Sequence, residues 1–287
     1  MSKANYDVAL EKFITALDIN KEISNLPEVA KCEILIGEVY KKIGDNRRAK
    51  REFEKALEIG VKTKNTNITA LANYSLGKHS QYIGETQNAL KLITLSNDQV
   101  DEKEKPSLKA EICRSIGQLY ISLGDVEEGI TFLNSSLTFY VAVDSALYNG
   151  VSSNQAKINY EIAKAYERLD DNLNFVLYME KSLVLSKKLA LKNYIKKGYK
   201  NLAKAYELNK EYRKAYEFLQ YYAAIKDVSE INFLESQLEL TKKEQELALV
   251  QEKQDNEERI KNTWTIFFSL ILLILLVFSG FLLYAYR

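Results

Sequence analysis

The feature that most limits what this chain can become is a period. Aligned on Ala9, Ala49, Ala89, Gly129, Phe175 and Ala215, the sequence repeats itself at spacings of 40, 40, 40, 46 and 40 residues. Four residues after each anchor stands an apolar side chain: Phe13, Phe53, Ile93, Leu133, Met179 and Leu219. Three further on comes a small residue in Ala16, Ala56, Ser96, Ser136 and Ser182, with Tyr222 the exception. Upstream, small residues precede aromatics, as in Gly37 with Tyr40, Gly117 with Tyr120, Ala163 with Tyr166 and Ala203 with Tyr206. Self-similarity at a fixed period of this length is the mark of stacked units, each resting on its neighbours.

Spacings of three and four put the small and the large apolar residues on one stripe of a helix. Each period therefore reads as two helices. Small residues at their crossing let the backbones approach, and the aromatic fills the wedge between them. The turn falls at Gly44-Asp45, Gly84-Glu85 and Gly124-Asp125, then at Asp170-Asp171 and Lys210-Glu211. A glycine there takes the left-handed conformation that ends the first helix, and the next residue caps the second. Pro27 and Pro106, the only prolines, each open a first helix, where a missing N–H costs nothing. Gly and Pro number 11 and 2 of 287 residues, about 5% where average proteins carry about 12%. So few turn residues point to an all-α chain.

The run Ile36-Gly37, Tyr40, Gly44-Asp45, Ala49, Phe53, Ala56 resembles a tetratricopeptide repeat. The resemblance covers residues 4–228 as one half-unit followed by five units, and the array is taken as a domain over 1–228. Its 40-residue period exceeds the usual 34 or so, and the extra residues are expected at the joints between units. The resemblance implies a right-handed helical solenoid with a concave groove lined by the first helix of each unit. Carried onto units four and five, the groove positions are Lys157, Tyr160, Lys164, Arg168, Lys197, Lys200, Asn201 and Lys204. At i, i+3, i+4 and i+7 they share one helix face. Such a ledge suits a protein or peptide ligand with a carboxylate or an acidic segment. The family's carboxylate clamp is not reproduced position for position. Tyr74 and Tyr82 are expected to add apolar contact in the same groove.

Other chemistries are thinly provided for. The chain has one histidine, His79, and two cysteines, Cys32 and Cys113. Metal-binding, phosphate-binding and nucleophile motifs are all missing from it, so no metal, no cofactor and no enzymatic activity are expected. His79 and both cysteines read as buried core residues, the cysteines two units apart and too distant for a disulfide. With 40 Lys and Arg against 39 Asp and Glu, the net charge is +1, which argues against a nucleic-acid partner. At the other end, Tyr6, Ala9, Phe13 and Ala16 match a second helix whose partner would precede Met1. That leaves a face built for a missing neighbour, and the first 25 residues hold no apolar stretch of signal-peptide type.

After Val228 the texture changes. Residues 229–261 are expected to form one long charged helix. Its stretch 231–262 contains no Gly or Pro and carries eight acidic against five basic residues. Ile231, Leu234 and Leu238, then Leu240 and Leu247, give an apolar seam that shifts register, so an imperfect coiled coil and a homodimer through 231–262 are expected. From 262 to 286 runs an uncharged segment of 25 positions between Lys261 and Arg287. At about 1.5 Å per residue it spans roughly 37 Å, enough for a hydrocarbon core of about 30 Å. Its 15 Leu, Ile, Phe and Val residues, at roughly −0.4 kcal/mol each, favour insertion by about −6 kcal/mol. Residues 262–287 are therefore expected to form a single transmembrane helix in a lipid bilayer. Trp264 marks one interface, and Tyr284, Tyr286 and Arg287 the other.

Array, charged helix and span, in that order, resemble the sensor half of membrane-bound bacterial two-component sensors and regulators. That resemblance implies a membrane-anchored interaction or sensor module, its array periplasmic in a gram-negative bacterium and its output domain absent from this sequence. The alternative is a tail-anchored cytosolic adaptor that recruits partner proteins to a membrane.

Overall fold

The computed structural model describes residues 3–147, 150–225, 243–266 and 268. Eleven helices follow one another in the first part, with no strand among the described residues. They are α1 (Lys3–Glu22), α2 (Leu26–Ile43), α3 (Asn46–Lys62), α4 (Thr66–Tyr82), α5 (Thr86–Gln99) and α6 (Pro106–Leu123). The series continues with α7 (Val126–Leu147), α8 (Ser153–Arg168), α9 (Asn172–Lys188), α10 (Lys192–Leu208) and α11 (Tyr212–Ile225). α1 is the half-unit, and the pairs from α2–α3 to α10–α11 are the five units. The chain divides into two compact units, Met1–Leu219 and Gln220–Arg287.

In unit one the extra residues of the 40-residue period are helical rather than at the joint. α2 and α3 run to 18 and 17 residues, while only 63–65 separate α3 from α4. The α3–α4 joint is nearly as tight as the turns within units because both use one closure, whereas 100–105 between α5 and α6 and 148–152 between α7 and α8 make longer joints, where extra residues do lie. Asp45 N–H donates to Tyr40 C=O at 2.9 Å, and Asn65 N–H to Gly60 C=O at 2.9 Å. The closure needs one left-handed residue. Gly44 takes it within unit one at φ 90°, and Asp170 and Lys210 take it in units four and five at 55° and 60°. Ser24, Lys64 and Ala190 take it at joints, at 54°, 54° and 52°. Asp45 and Asp171 then cap the following helices, their carboxylates accepting from Arg48 N–H and Asn174 N–H.

Each pair of helices crosses where the first helix has almost no side chain. A Cβ on Gly117 would lie 2.7 Å from the Gly129 carbonyl oxygen and 2.9 Å from Leu133 Cγ. The large residues of the period fill what remains: Phe53, Ile93, Leu133 and Met179 are fully buried. In units two to four the small residue of the second helix is a buried serine with a second task. Ser96, Ser136 and Ser182 donate to the carbonyls of Ala70, Ala110 and Ala156 at 2.7, 2.6 and 2.8 Å. Each bond reaches back 26 residues to the first helix of its own unit and fixes the crossing. The apolar core passes from unit to unit as overlapping clusters, one around Phe53 from α2 to α4 and the next around Ile93 and Ile116 from α4 to α6.

First helices also meet directly, α2 with α4 and α8 with α10. Cys32, Cys113 and His79 are buried, and both cysteines are free thiols. Burial, and then Lys41 and Lys50, hold the His79 imidazole below its ordinary pKa. On α1, Val8, Ile14 and Ile19 stand exposed.

Glu33 and Glu52 are buried together between α2 and α3 at 3% and 4% exposure. Burial and a hydrogen bond with Glu52 raise Glu33 to about 7, against the pull of Lys55. Glu52 lies below the usual carboxylate range: burial alone would raise it, but hydrogen bonds from Lys55, Glu33 and Arg51 prevail. Glu33 thus keeps its proton until the pH approaches 7, beside a Glu52 that stays ionised.

In the second unit residues 243–266 are helical, with Leu247, Val250, Ile260 and Trp264 exposed. The helix continues without a break from the charged segment into the apolar one. Among the described residues no helix is long and apolar enough to cross a membrane. The expected span lies, from 269 onward, outside the described residues, as does the 231–242 part of the expected coiled coil.

Two outcomes test this reading. Ala190→Gly should raise stability by about 0.5–1 kcal/mol, by relieving a left-handed alanine. Gly44→Ala, with no atom within 4 Å of the added Cβ, should lose about 1 kcal/mol to backbone strain alone. Thermal melting checks both signs. The carboxylate pair gives the second. Unfolded Glu33 titrates near about 4.3 and folded Glu33 near about 7. Between these values the folded state keeps a proton that the unfolded chain has released, so its contribution is full at low pH and drains away as pH rises through 7. Glu33→Gln should therefore gain in melting temperature over the parent as pH rises from about 5 to 8. His79 has the opposite slope in both proteins and cancels from the difference.

Candidate interaction face

The inner face is built from the first helices, and from α4 to α10 each is tied to the next by side chains. Tyr74 of α4 is 8% exposed, and its hydroxyl shares a 3.1 Å hydrogen bond with Ser115 Oγ of α6. Burial, then Glu111, push the Tyr74 phenol well above its ordinary range. From α6, Arg114 grips Glu161 of α8 with two nitrogens, Nε at 2.9 Å from Oε2 and Nη2 on Oε1. Gln118 Nε2 donates to the same carboxylate at 3.0 Å. The Glu161 hydrogen bonds hold the Arg114 guanidinium charged more firmly than usual, against its burial. Tyr140 beside them is pushed up to about 12 by burial, then by Glu111. Lys78 on α4 is lowered by burial and then by Lys41, and its ammonium donates to Gln81 at 2.7 Å.

Units four and five carry the expected ledge. Tyr160 of α8 meets Tyr194 of α10 edge to face at 5.6 Å and 86°. Lys197 Nζ lies 5.3 Å from the centroid of each of the two rings, a cation–π arrangement. Glu167 sits between Lys164, which donates to it, and Lys204, 3.9 Å away. Lys200 is exposed. Asn201 Nδ2 donates to the Lys197 carbonyl at 2.8 Å. Arg168 has a different task, its Nη1 donating to the Ile121 carbonyl at 2.8 Å and tying unit four to unit three. All eight expected residues, Lys157 included, thus sit on α8 and α10, though the Arg168 side chain is engaged with unit three. One expectation needs correction: Tyr74 is a buried, hydrogen-bonded core residue, while Tyr82 is 60% exposed. Of the membrane-interface residues, Trp264 is 55% exposed with its ring 5.8 Å from Phe268. Tyr284, Tyr286 and Arg287 lie outside the described residues.

Sequence reading passed over Arg114, Glu161 and Tyr194. A signal for Arg114 existed: Tyr74, Arg114, Tyr160 and Lys200 occupy one register, at spacings of 40, 46 and 40. No such signal announces that Glu161, on the next helix, is its partner.

A family description, the tetratricopeptide repeat, matches residues 34–59 and 110–139. Those two stretches match the tetratricopeptide repeat. Solved structures agree in fold. BtubC from P. vanneervenii is 13% identical with a TM-score of 0.67, covering 77% of this chain and 90% of that one. The signal transduction ATPase with a tetratricopeptide repeat sensor from Pyrococcus horikoshii is 17% identical at a TM-score of 0.61, over 85% of this chain but only 41% of its own. Aspartyl phosphate phosphatase F from Bacillus subtilis is 12% identical at 0.56, over 79% and 58%. No curated protein matches the chain. Tetratricopeptide arrays are typically protein-binding scaffolds.

The bridge across the inner face generates a test. Arg114 and Glu161 keep only 26% and 20% of their side-chain exposure, so removing one partner strands the other. Arg114→Ala should cost roughly 2 kcal/mol, and a double-mutant cycle with Glu161→Ala should recover a coupling of at least about 1 kcal/mol.

Proposed function

We propose that the chain is a membrane-anchored tetratricopeptide interaction module. Its inner face in units four and five takes an acidic, carboxylate-bearing segment of a partner protein. The occupied state then passes through the charged segment 229–261 to the apolar segment 262–287. One observation carries the first part: Tyr160, Lys164, Lys197, Lys200, Asn201 and Lys204 stand on α8 and α10, which touch. Charge supports it, since residues 151–214 hold 14 Lys and Arg against seven Asp and Glu, an excess that steers acidic partners. Lys164 and Lys204 already share Glu167, so Lys197 and Lys200 are the cations most open to a ligand. Anchoring rests on the uncharged run of 25 positions and its roughly −6 kcal/mol preference for the bilayer.

The test captures partners with the full chain. Lys197→Glu with Lys200→Glu should weaken the captured complex by at least tenfold, each lost charge-assisted bond costing roughly 1.5–3 kcal/mol. Raising salt should weaken the parent complex in the same way. Reversal of Lys50, on α3, should leave it unchanged. A partner held equally by both variants would remove the basic ledge from the account.

A further inference from the structure

The second helix of every unit starts just past the turn, so these starts lie along one edge of the array. A cavity of about 660 Å³, lined by Gln87 of unit two with Tyr120, Leu123 and Asp125 of unit three, marks where two neighbours meet there. Two residues past Asp45, Glu85 and Asp125, the edge carries Arg47-Arg48 in unit one, Gln87-Asn88 in unit two and Glu127-Glu128 in unit three, all exposed and 40 residues apart. At equivalent positions of three stacked units the charge therefore runs positive, neutral, negative.

Both charges are in local surplus. Residues 41–51 hold six Lys and Arg against one acid, Asp45, which Arg48 engages at 2.5 Å. Residues 115–156 hold four acids and no Lys or Arg. Among the described residues Arg47, Asp125, Glu127 and Glu128 form no ion pair. Arg168, reaching over from unit four, donates to the Ile121 carbonyl instead. Beside the charges runs an apolar row, the residue before each turn glycine: Ile43, Ile83 and Leu123, 42%, 40% and 39% exposed. Tyr82 widens it at unit two. One exposed apolar residue is ordinary. Three in register beside opposed charges make a surface.

Turned by half a turn about an axis through unit two, this surface is complementary to itself. Arg47 and Arg48 then oppose Glu127 and Glu128 of a second copy, twice over. Ile43 opposes Leu123, and Tyr82 and Ile83 oppose their own counterparts at the axis. An apolar centre with an aromatic side chain inside a charged rim is the ordinary composition of a protein interface, and opposed charges fix its register. The sign changes back towards unit five, where Arg213-Lys214 hold the same positions. There, however, Asn209 interrupts the apolar row and Lys214 is held by Glu211 at 2.7 Å. We propose that two copies of this chain pair antiparallel along the turn edge of units one to three. None of the ledge residues on α8 and α10 belongs to that edge, so pairing and ligand binding stand or fall separately.

Cross-linking of the full chain in detergent tests this. Tyr82→Cys puts a thiol at the axis, facing its own counterpart, while the native Cys32 and Cys113 are buried. A short bis-maleimide should convert the Tyr82→Cys protein to a covalent dimer. Adding Arg47→Glu with Arg48→Glu should lower the yield at least tenfold, and so should Glu127→Arg with Glu128→Arg. All four together should restore it. Each exchange gives one unit the residues that the other already carries at the same helix positions, so the fold tolerates it, and an unchanged melting temperature checks that. Arg213→Glu with Lys214→Glu should leave the yield intact. No cross-link would overturn the axis at unit two. Undiminished yield in both reversals would overturn the edge and leave pairing to 231–262. Failure of the fourfold exchange to restore the yield would overturn the charge pairing. Loss on reversal of Arg213 and Lys214 would overturn it in favour of an axis at unit four.

Discussion

Everything in the array depends on how closely two helices of a unit can cross. At Gly117 and Gly129 the crossing leaves no room for one added carbon, and its large residues are buried completely. That distance sets where the next first helix must lie, because the core cluster of each unit is completed by its successor. The buried serines hold the same geometry by hydrogen bonding across the crossing where the side chain is small. A local steric rule, repeated, thereby fixes the inner face on which the first helices present their polar residues.

The inner face then divides the labour. In units two to four its charged groups are consumed by the structure: Arg114, Gln118 and Glu161 lock α6 to α8, and Arg168 ties unit four to unit three. In units four and five the cations outnumber their local acids, and Lys197 rests on a pair of tyrosine edges and faces rather than on a carboxylate. A cation held by rings keeps its charge available to a ligand in a way that one paired with a carboxylate does not. On the proposed function, the excess of Lys and Arg across 151–214 would act as a recognition field for an acidic partner.

The period was legible because it is a steric requirement written once per unit: no large residue can stand at Gly117, and no small apolar one can replace Phe53 without leaving a void. The turns were legible for the same reason in units one to three. Where Asp170 and Lys210 replace glycine, the left-handed requirement is met by residues that do not advertise it. Helix length was misjudged because nothing in a three-and-four spacing says where a stripe stops, and the joints close with Lys64 or Ala190 as readily as with Gly. Arg114 with Glu161 was hidden because pairing across two helices depends on their stacking, which no linear spacing encodes.

The central claim, that partners enter on the inner face of units four and five, is tested most directly by mapping contact in the native membrane. A photo-reactive amino acid placed singly at Tyr160, Lys200, Lys50 and Tyr82 of the full chain would report which surface a captured protein touches. The account predicts cross-links from Tyr160 and Lys200 to one acidic segment of that protein, and none to it from Lys50 or Tyr82. Cross-links to that protein confined to Lys50 or Tyr82 would contradict it.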